Sequence, residues 1–151
     1  MNIEEILAQQ GLTLPAPPEP AANYTPAVQV DNLVFLSGQT PKVANEVQYQ
    51  GKVGRELGVD DGYSAAQLCT LRLVSALQAC VGDLSKVKKI VKLTVFVNAT
   101  DDFTGHPKVA DGASDLLGIL FKELGQHARA AVGVSSLPSG AAVEVELIAQ
   151  V

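Results

Sequence analysis

A chain of 151 residues, 47% hydrophobic and with positive mean hydropathy, carries enough apolar surface for a single core without disulfide or metal staples. Its formal net charge of −5 and pI near 4.9 argue against a general nucleic-acid surface, because nonspecific affinity comes from Lys and Arg neutralising phosphates. No stretch reaches the roughly 18 consecutive apolar residues of a membrane span, and the N-terminus MNIEEILAQQG is acidic, so the cytoplasm is the expected compartment.

Asn2 to Gln10 places Ile3, Ile6 and Leu7 at helical spacing with Gly11 just past the end, which predicts a short amphipathic helix. Leu14 to Ala22 holds four prolines and reads as an extended connector. Residues 1–22 are thus expected to precede one domain spanning 23–151. Ala27 to Val30 and Asn32 to Ser37 are β-rich runs separated by Asp31, which predicts a hairpin or a bent strand. Gly38-Gln39-Thr40-Pro41 then breaks the strand. That leaves Ser37 and the Gly38 N–H at a strand end, where either a plain turn or a close ligand approach fits. Lys42 to Val59 is weakly patterned, with a short strand at Glu46 to Tyr49 and a loop around Gly51 and Gly54; Arg55 has no assignable role.

A helix is predicted from Asp61, as N-cap, to Val81, ended by Gly82. Its buried stripe is Ala65, Cys69, Leu73, Ala76 and Cys80, widened by Leu68 and Leu77. The two cysteines share that face about 16 Å apart along the axis, too far to bridge, and both read as buried thiols. Lys86, Lys88, Lys89 and Lys92 form a solvated strand entrance. From Val91 to Val97 a strand sets Val91, Leu93, Val95 and Val97 on one side and Lys92, Thr94 and Phe96 on the other. A second helix runs from Pro107 to Leu124, ends at Gly125, and turns Leu116, Leu117, Leu120, Phe121 and Leu124 inward.

His127 to Val151 reads as a strand pair around a Leu137–Gly140 turn. In the first strand Val132 and Val134 oppose Arg129, Ala131 and Gly133. In the second, Val143, Val145, Leu147 and Ala149 alternate with Glu144, Glu146 and Ile148. The planar fork of Arg129 suits a small-molecule carboxylate, and a nearby Glu can hold or activate a water; a solvent-facing pair on an ordinary hairpin is the competing reading. His127 reads as a strand-entry residue. The order strand, strand, helix, strand, helix, strand, strand predicts an α+β fold with two helices on one face of a mixed sheet. The other face, with Phe96 and Ile148 among polar residues, suggests pairing with further subunits. With His106 and His127 the two histidines, nothing has metal-ligand spacing, and there is no internal repeat, phosphate loop or Ser-His-Asp set.

The blocks YTPAVQVDNLVFLSGQTP, DLSKVKKIVKLTVFVNATDDF and HARAAVGVSSLPSGAAVEVELIA, in that order, resemble the YjgF/YER057c/UK114 family, also called Rid or L-PSP proteins. The likeness covers Tyr24 to Val151, and the N-terminal helix, proline-rich entry and Val43 to Gly62 segment look like its longer members. It implies a chorismate-mutase-like α+β fold and a homotrimer with a central β-barrel and three clefts between subunits. It also implies hydrolysis of reactive enamines and imines, such as 2-aminoacrylate, to 2-oxo acids and ammonia without a cofactor; other members are described as ribonucleases or translation inhibitors. By position, the family's carboxylate-binding arginine falls on Arg129, its strand glutamate on Glu144, its strand-end serine and glycine on Ser37 and Gly38, and its cleft tyrosine on Tyr24. The cysteine usual two residues after the arginine is Ala131 here. The helix asparagine falls on Asp111 or Ser114, depending on a gap. The expected ligand is therefore a small carboxylate-bearing imine or 2-oxo acid, with catalysis by Arg129 and Glu144 and no metal. A non-catalytic metabolite-binding trimer would keep Arg129 without turnover, and a ribonuclease would need a basic path that this composition does not favour.

Overall fold

The computed structural model describes residues 2–20 and 22–151; Met1, and Ala21 of the predicted connector, lie outside the described residues. The side chain of Asn2 accepts the Glu5 N–H at 2.8 Å while Glu5 accepts the Asn2 N–H at 3.2 Å, and this reciprocal cap starts α1 (Ile3–Gln9). Ile6 and Leu7 of α1 are buried in the same core as the sheet, and the Gln78 side chain donates to Glu4. The described residues of the connector that follows have no regular structure, and the Ser75 hydroxyl ties it down by donating to the Pro15 carbonyl at 2.6 Å.

Strands β1 (Ala27–Val30) and β2 (Leu33–Gln39) form the predicted hairpin, turning at Asp31 with φ of 53°, a conformation that Asp tolerates. β2 does not break at Gly38 as its sequence suggested. It continues to Gln39 through a register shift between Leu36 and Gln39. The predicted strand at Glu46 to Tyr49 is instead a small hairpin of β3 (Lys42–Val43) and β4 (Glu46–Val47), with Ala44 and Asn45 both at positive φ.

Helix α2 (Val59–Val81) begins before Asp61, which is not the N-cap: its carboxylate reaches back to the Gly58 N–H at 2.9 Å from within the first turn. Gly82, at φ 87°, ends the helix as expected. By length and composition α2 is apolar enough to cross a membrane, but 56% of its most apolar window is buried within the fold, as a core helix requires. Then come β5 (Lys89–Asn98), α3 (His106–Phe121), β6 (Ala128–Val134) and β7 (Val143–Gln150).

The five-stranded sheet runs β1-β2-β7-β5-β6, with β5 and β6 parallel and the other pairs antiparallel. β6 and β7 are therefore not a hairpin, contrary to the sequence reading. A helix between β5 and β6 carries the chain back to start β6 in the same direction, and β7 then crosses to the other side of β5. β7 sits at the centre, hydrogen-bonded on both edges, with Val143, Val145, Leu147 and Ala149 buried beneath the helices. Leu93, Val95 and Val97 of β5 and Val34 and Leu36 of β2 extend that face, and α2 and α3 supply Leu73, Leu77, Leu116 and Leu117 against it.

Three expected core positions lie outside. Val91 is 36% exposed because the β5–β7 register shifts between Ile90 and Lys92, so Ile90 takes the inward place. Cys80 is exposed near the end of α2, and Leu124 is 44% exposed because α3 stops at Phe121 and gives way to a 3₁₀ turn, Lys122–Gly125. On the open sheet face, Val28, Val30, Phe35 and Val132 are exposed alongside the half-buried Phe96 and Ile148.

Candidate functional site

The bulge in β2 positions the first part of the site. With Leu36 and Gln39 both turned to the helices, the added residue leaves Gly38 facing Glu144 of β7, so close that a Cβ on Gly38 would lie 2.6 Å from Glu144 Oε2. Glycine is required there to seat the carboxyl against the backbone. Ser37 anchors the bulge: its hydroxyl donates to the Thr25 carbonyl at 2.7 Å and its N–H to the Pro26 carbonyl at 2.9 Å. Glu144 is half-buried, and burial first, then the neighbouring Glu146, raises its pKa above the ordinary 4.5. Gly38, Glu144 and Tyr24 line one cleft of about 340 Å³, together with Pro18 and Pro20 of the connector and Arg72 of α2.

Arg129 lies elsewhere. It pairs with Leu93 of β5 and so shares the helix-side face of the edge strand β6 with Ala131 and Gly133, while Val132 opposes it on the open face. Its Nη1 donates to Asp111 Oδ1 at 2.9 Å and to Ser114 Oγ at 3.0 Å, both on α3. The two candidate positions for the family asparagine therefore both touch the same arginine. One turn further on, Asp115 accepts the Tyr63 hydroxyl at 2.7 Å, and this bond, chiefly, pushes the tyrosine pKa up to about 12. His106 packs its ring on Gly133 and meets Phe103 edge-on at 5.1 Å.

The sheet geometry separates Arg129 from Glu144. They stand two strands apart and three residues out of step, about 14 Å between Cα atoms from strand spacing and rise, and on opposite faces. Within one chain, Tyr24, Gly38 and Glu144 form one half-site, with Ser37 fixing its backbone, and Arg129 with Asp111 and Ser114 forms another. Among the described residues no group of three metal-ligating side chains occurs. The Cys69 thiol is buried against the Val143 carbonyl and burial pushes its pKa up, so it is not a ready nucleophile.

The profile of the family described as "YjgF/chorismate mutase-like, putative endoribonuclease" matches residues 4–151. This chain belongs to the YjgF family. It is 47% identical to Protein TCP17 of Trypanosoma cruzi over 95% of its own length and 91% of that protein's. It is 30% identical to the 2-iminobutanoate/2-iminopropanoate deaminase of Dermatophagoides farinae over 91% of this chain and 92% of that one. Its fold superposes on the crystal structure of a "putative endoribonuclease" from Shewanella oneidensis MR-1, with a TM-score of 0.95, 34% identity and complete coverage of both chains.

In this YjgF-family chain two parts of the cleft wall went unread in the sequence. Arg72 sits within the apolar run of α2, and a lone arginine beside Leu71 and Leu73 was the available signal. Its Nη1 donates to the Thr40 carbonyl at 2.8 Å, just past the end of β2. The connector residues gave no signal, because polyproline composition specifies an extended chain and not the surface it lies on. Arg55, without a role in the sequence, pairs with the adjacent Glu56 at 2.7 Å on the surface.

Proposed function

We propose that the protein is a cofactor-independent hydrolase of reactive imines, with enamines entering as their imine tautomers, that yields 2-oxo acids and ammonia. The observation that carries this reading is the half-buried Glu144 carboxyl seated on Gly38 beside Tyr24, in a cleft of small-metabolite size. A carboxyl whose pKa is raised by burial suits proton transfer in both directions. Glu144 takes a proton as a water oxygen bonds to the imine carbon and returns it to nitrogen, giving a carbinolamine; it then carries the hydroxyl proton to the amino nitrogen, the C–N bond breaks, and ammonia leaves a carbonyl behind. The deaminase named among the relatives supports the same chemistry. Ala131 is no obstacle, since the step needs a placed water and not a thiol.

Arg129 is proposed to bind the substrate carboxylate. Because it points away from Glu144 in its own chain, that role calls for a second copy whose Arg129 half-site faces the first chain's Glu144 cleft. A homotrimer with clefts between subunits meets this requirement, and the exposed valines and Phe35 of the open sheet face supply an apolar surface to bury in it. Light scattering is expected to give three times the chain mass of 15.8 kDa at micromolar concentration; a monomer mass would remove the composite site.

The decisive assay is ammonia and 2-oxo acid release from imines generated in place by an amino-acid oxidase. Arg129→Lys keeps the charge and loses the fork, so kcat/KM should fall at least about tenfold, or about 1.4 kcal/mol, with the oligomer intact. A second reading, a metabolite-binding module without turnover, is favoured by one observation: Asp111 already neutralises Arg129. It predicts that 2-oxo acids raise the melting temperature of a protein that releases no ammonia. An RNA-cleaving role finds less support, since the Lys86 ammonium donates to the Val81 carbonyl at the end of α2 and Lys89 to the Glu123 carbonyl.

A further inference from the structure

Arg72 reaches the wall of the Glu144 cleft from α2 and is half-buried there. Its one hydrogen bond among the described residues, to the Thr40 carbonyl, occupies one of the five N–H groups of the guanidinium. The ion pairs among the described residues are Arg55–Glu56 and Arg129–Asp111, so no carboxylate lies within 4.0 Å of Arg72. The two arginines of the half-sites thus differ. Arg129 is partnered by an acid of its own chain, whereas Arg72 is held in place by a neutral carbonyl and left without a counter-charge. Burial lowers its pKa, because a charge held partly out of water is disfavoured. A fixed, partly desolvated guanidinium facing a cleft gains most from an anion that arrives with the ligand, and its remaining N–H edge fits a carboxylate. Lys42, also lining the cleft, adds a second positive charge, and Glu19 of the connector lines it as well.

We infer that Arg72 binds a second, distal carboxylate of the ligand, so that the site selects imines and 2-oxo acids derived from acidic side chains. This rests on the hydrolase and ligand reading above, in which Arg129 takes the carboxylate next to the reacting carbon. Arg72 then sets specificity and takes no part in the chemical step.

The test uses the full chain in its native assembly and two probes of equal length, 2-oxoglutarate and 2-oxopentanoate, titrated calorimetrically. The expected result is a 2-oxoglutarate Kd about tenfold below that of 2-oxopentanoate, a ratio that Arg72→Gln reduces to about threefold or less. Arg72→Lys should retain part of the preference, and it guards against a Gln variant that loses the Thr40 contact and fails to fold. Equal wild-type affinities, a preference for the monocarboxylate, an unchanged ratio in both variants, or no binding of either acid at millimolar concentration would each overturn the inference. Imine turnover measured in parallel separates the two claims. A protein that hydrolyses imines without a dicarboxylate preference sinks the role of Arg72 alone, while an Arg72-dependent preference in a protein without turnover sinks the hydrolase reading alone.

Discussion

Gly112→Ala is expected to destabilise the fold by about 3 kcal/mol, at the upper end of ordinary overpacking, because the added Cβ is driven into backbone and not into a movable side chain. Gly112 lies in α3 where that helix crosses α2, and the Cβ position falls against the Tyr63 carbonyl oxygen, with the Tyr63 carbonyl carbon 2.9 Å away. At the same crossing a Cβ on Gly62 would meet Val109 Cγ2 at 2.8 Å, so neither helix has room to back off without lifting from the sheet. For a chain of this size the shift corresponds to a melting temperature lower by about 6–12 °C, read at fixed protein concentration. Gly118→Ala in the same helix is the internal comparison. Gly118 is exposed with nothing within 4 Å of its Cβ position, so alanine there should stabilise by up to about 1 kcal/mol through helix propensity alone. If both substitutions move the melting temperature in the same direction, the close crossing is wrong. A failed crossing would also dislodge Asp111 and Ser114 from Arg129, since they flank Gly112 on α3.

That crossing shows what local sequence can and cannot specify. The stripe of α2, the apolar face of α3 up to Phe121 and the alternation in β5 and β7 come from periodicity, which the burial of each element obeys. Elements that satisfy periodicity alone were therefore legible, and so were their terminators Gly11, Asp31 and Gly82. Register was not. A single inserted residue inverts a strand's faces, and nothing in the run Lys89 to Asn98 announces that Val91 is the residue left over. Pairing was not legible either, because β7 finds its partners β2 and β5 through contacts distant in sequence while its sequence neighbour β6 pairs with β5. The consequence for the site is direct. A hairpin would have put Arg129 and Glu144 on neighbouring strands and on one face, whereas the observed topology sets β5 between them and turns them to opposite faces, so their relation within one chain could not be read from sequence spacing.

Asp111, one of the two positions on which the resemblance places an amide, adds a charge beside Arg129. An asparagine would leave the Arg129 guanidinium a full positive charge for an incoming carboxylate, whereas Asp111 at 2.9 Å competes for it. The competition is softened by exposure, since both partners remain partly in water and an exposed pair of this kind contributes on the order of 1 kcal/mol or less. An incoming carboxylate can therefore share the fork, with Asp111 holding Nη1 and the remaining donors free for the ligand.

Glu144→Gln should lower kcat for imine hydrolysis by about 100-fold, some 2.7 kcal/mol, while leaving the affinity for 2-oxo acids within about threefold. The substitution preserves the side-chain volume against Gly38 and so leaves the cleft wall in place, but it removes the group that accepts the water proton and returns it to nitrogen. The same change has a stability signature of opposite sign. Burial raises the Glu144 pKa in the folded state, so the folded protein binds this proton more tightly than the unfolded chain does. The stability linked to that proton is fully present below the unfolded-chain value and is lost as pH rises through the folded-state value. At neutral pH the wild type carries a half-buried carboxylate at a cost, and the neutral glutamine does not. Glu144→Gln should accordingly melt higher than wild type at pH 7, and the difference should shrink as pH falls toward the ordinary carboxyl value of 4.5. A variant that loses turnover and stability together would point to a structural role for Glu144, and one that loses neither would remove it from the chemistry.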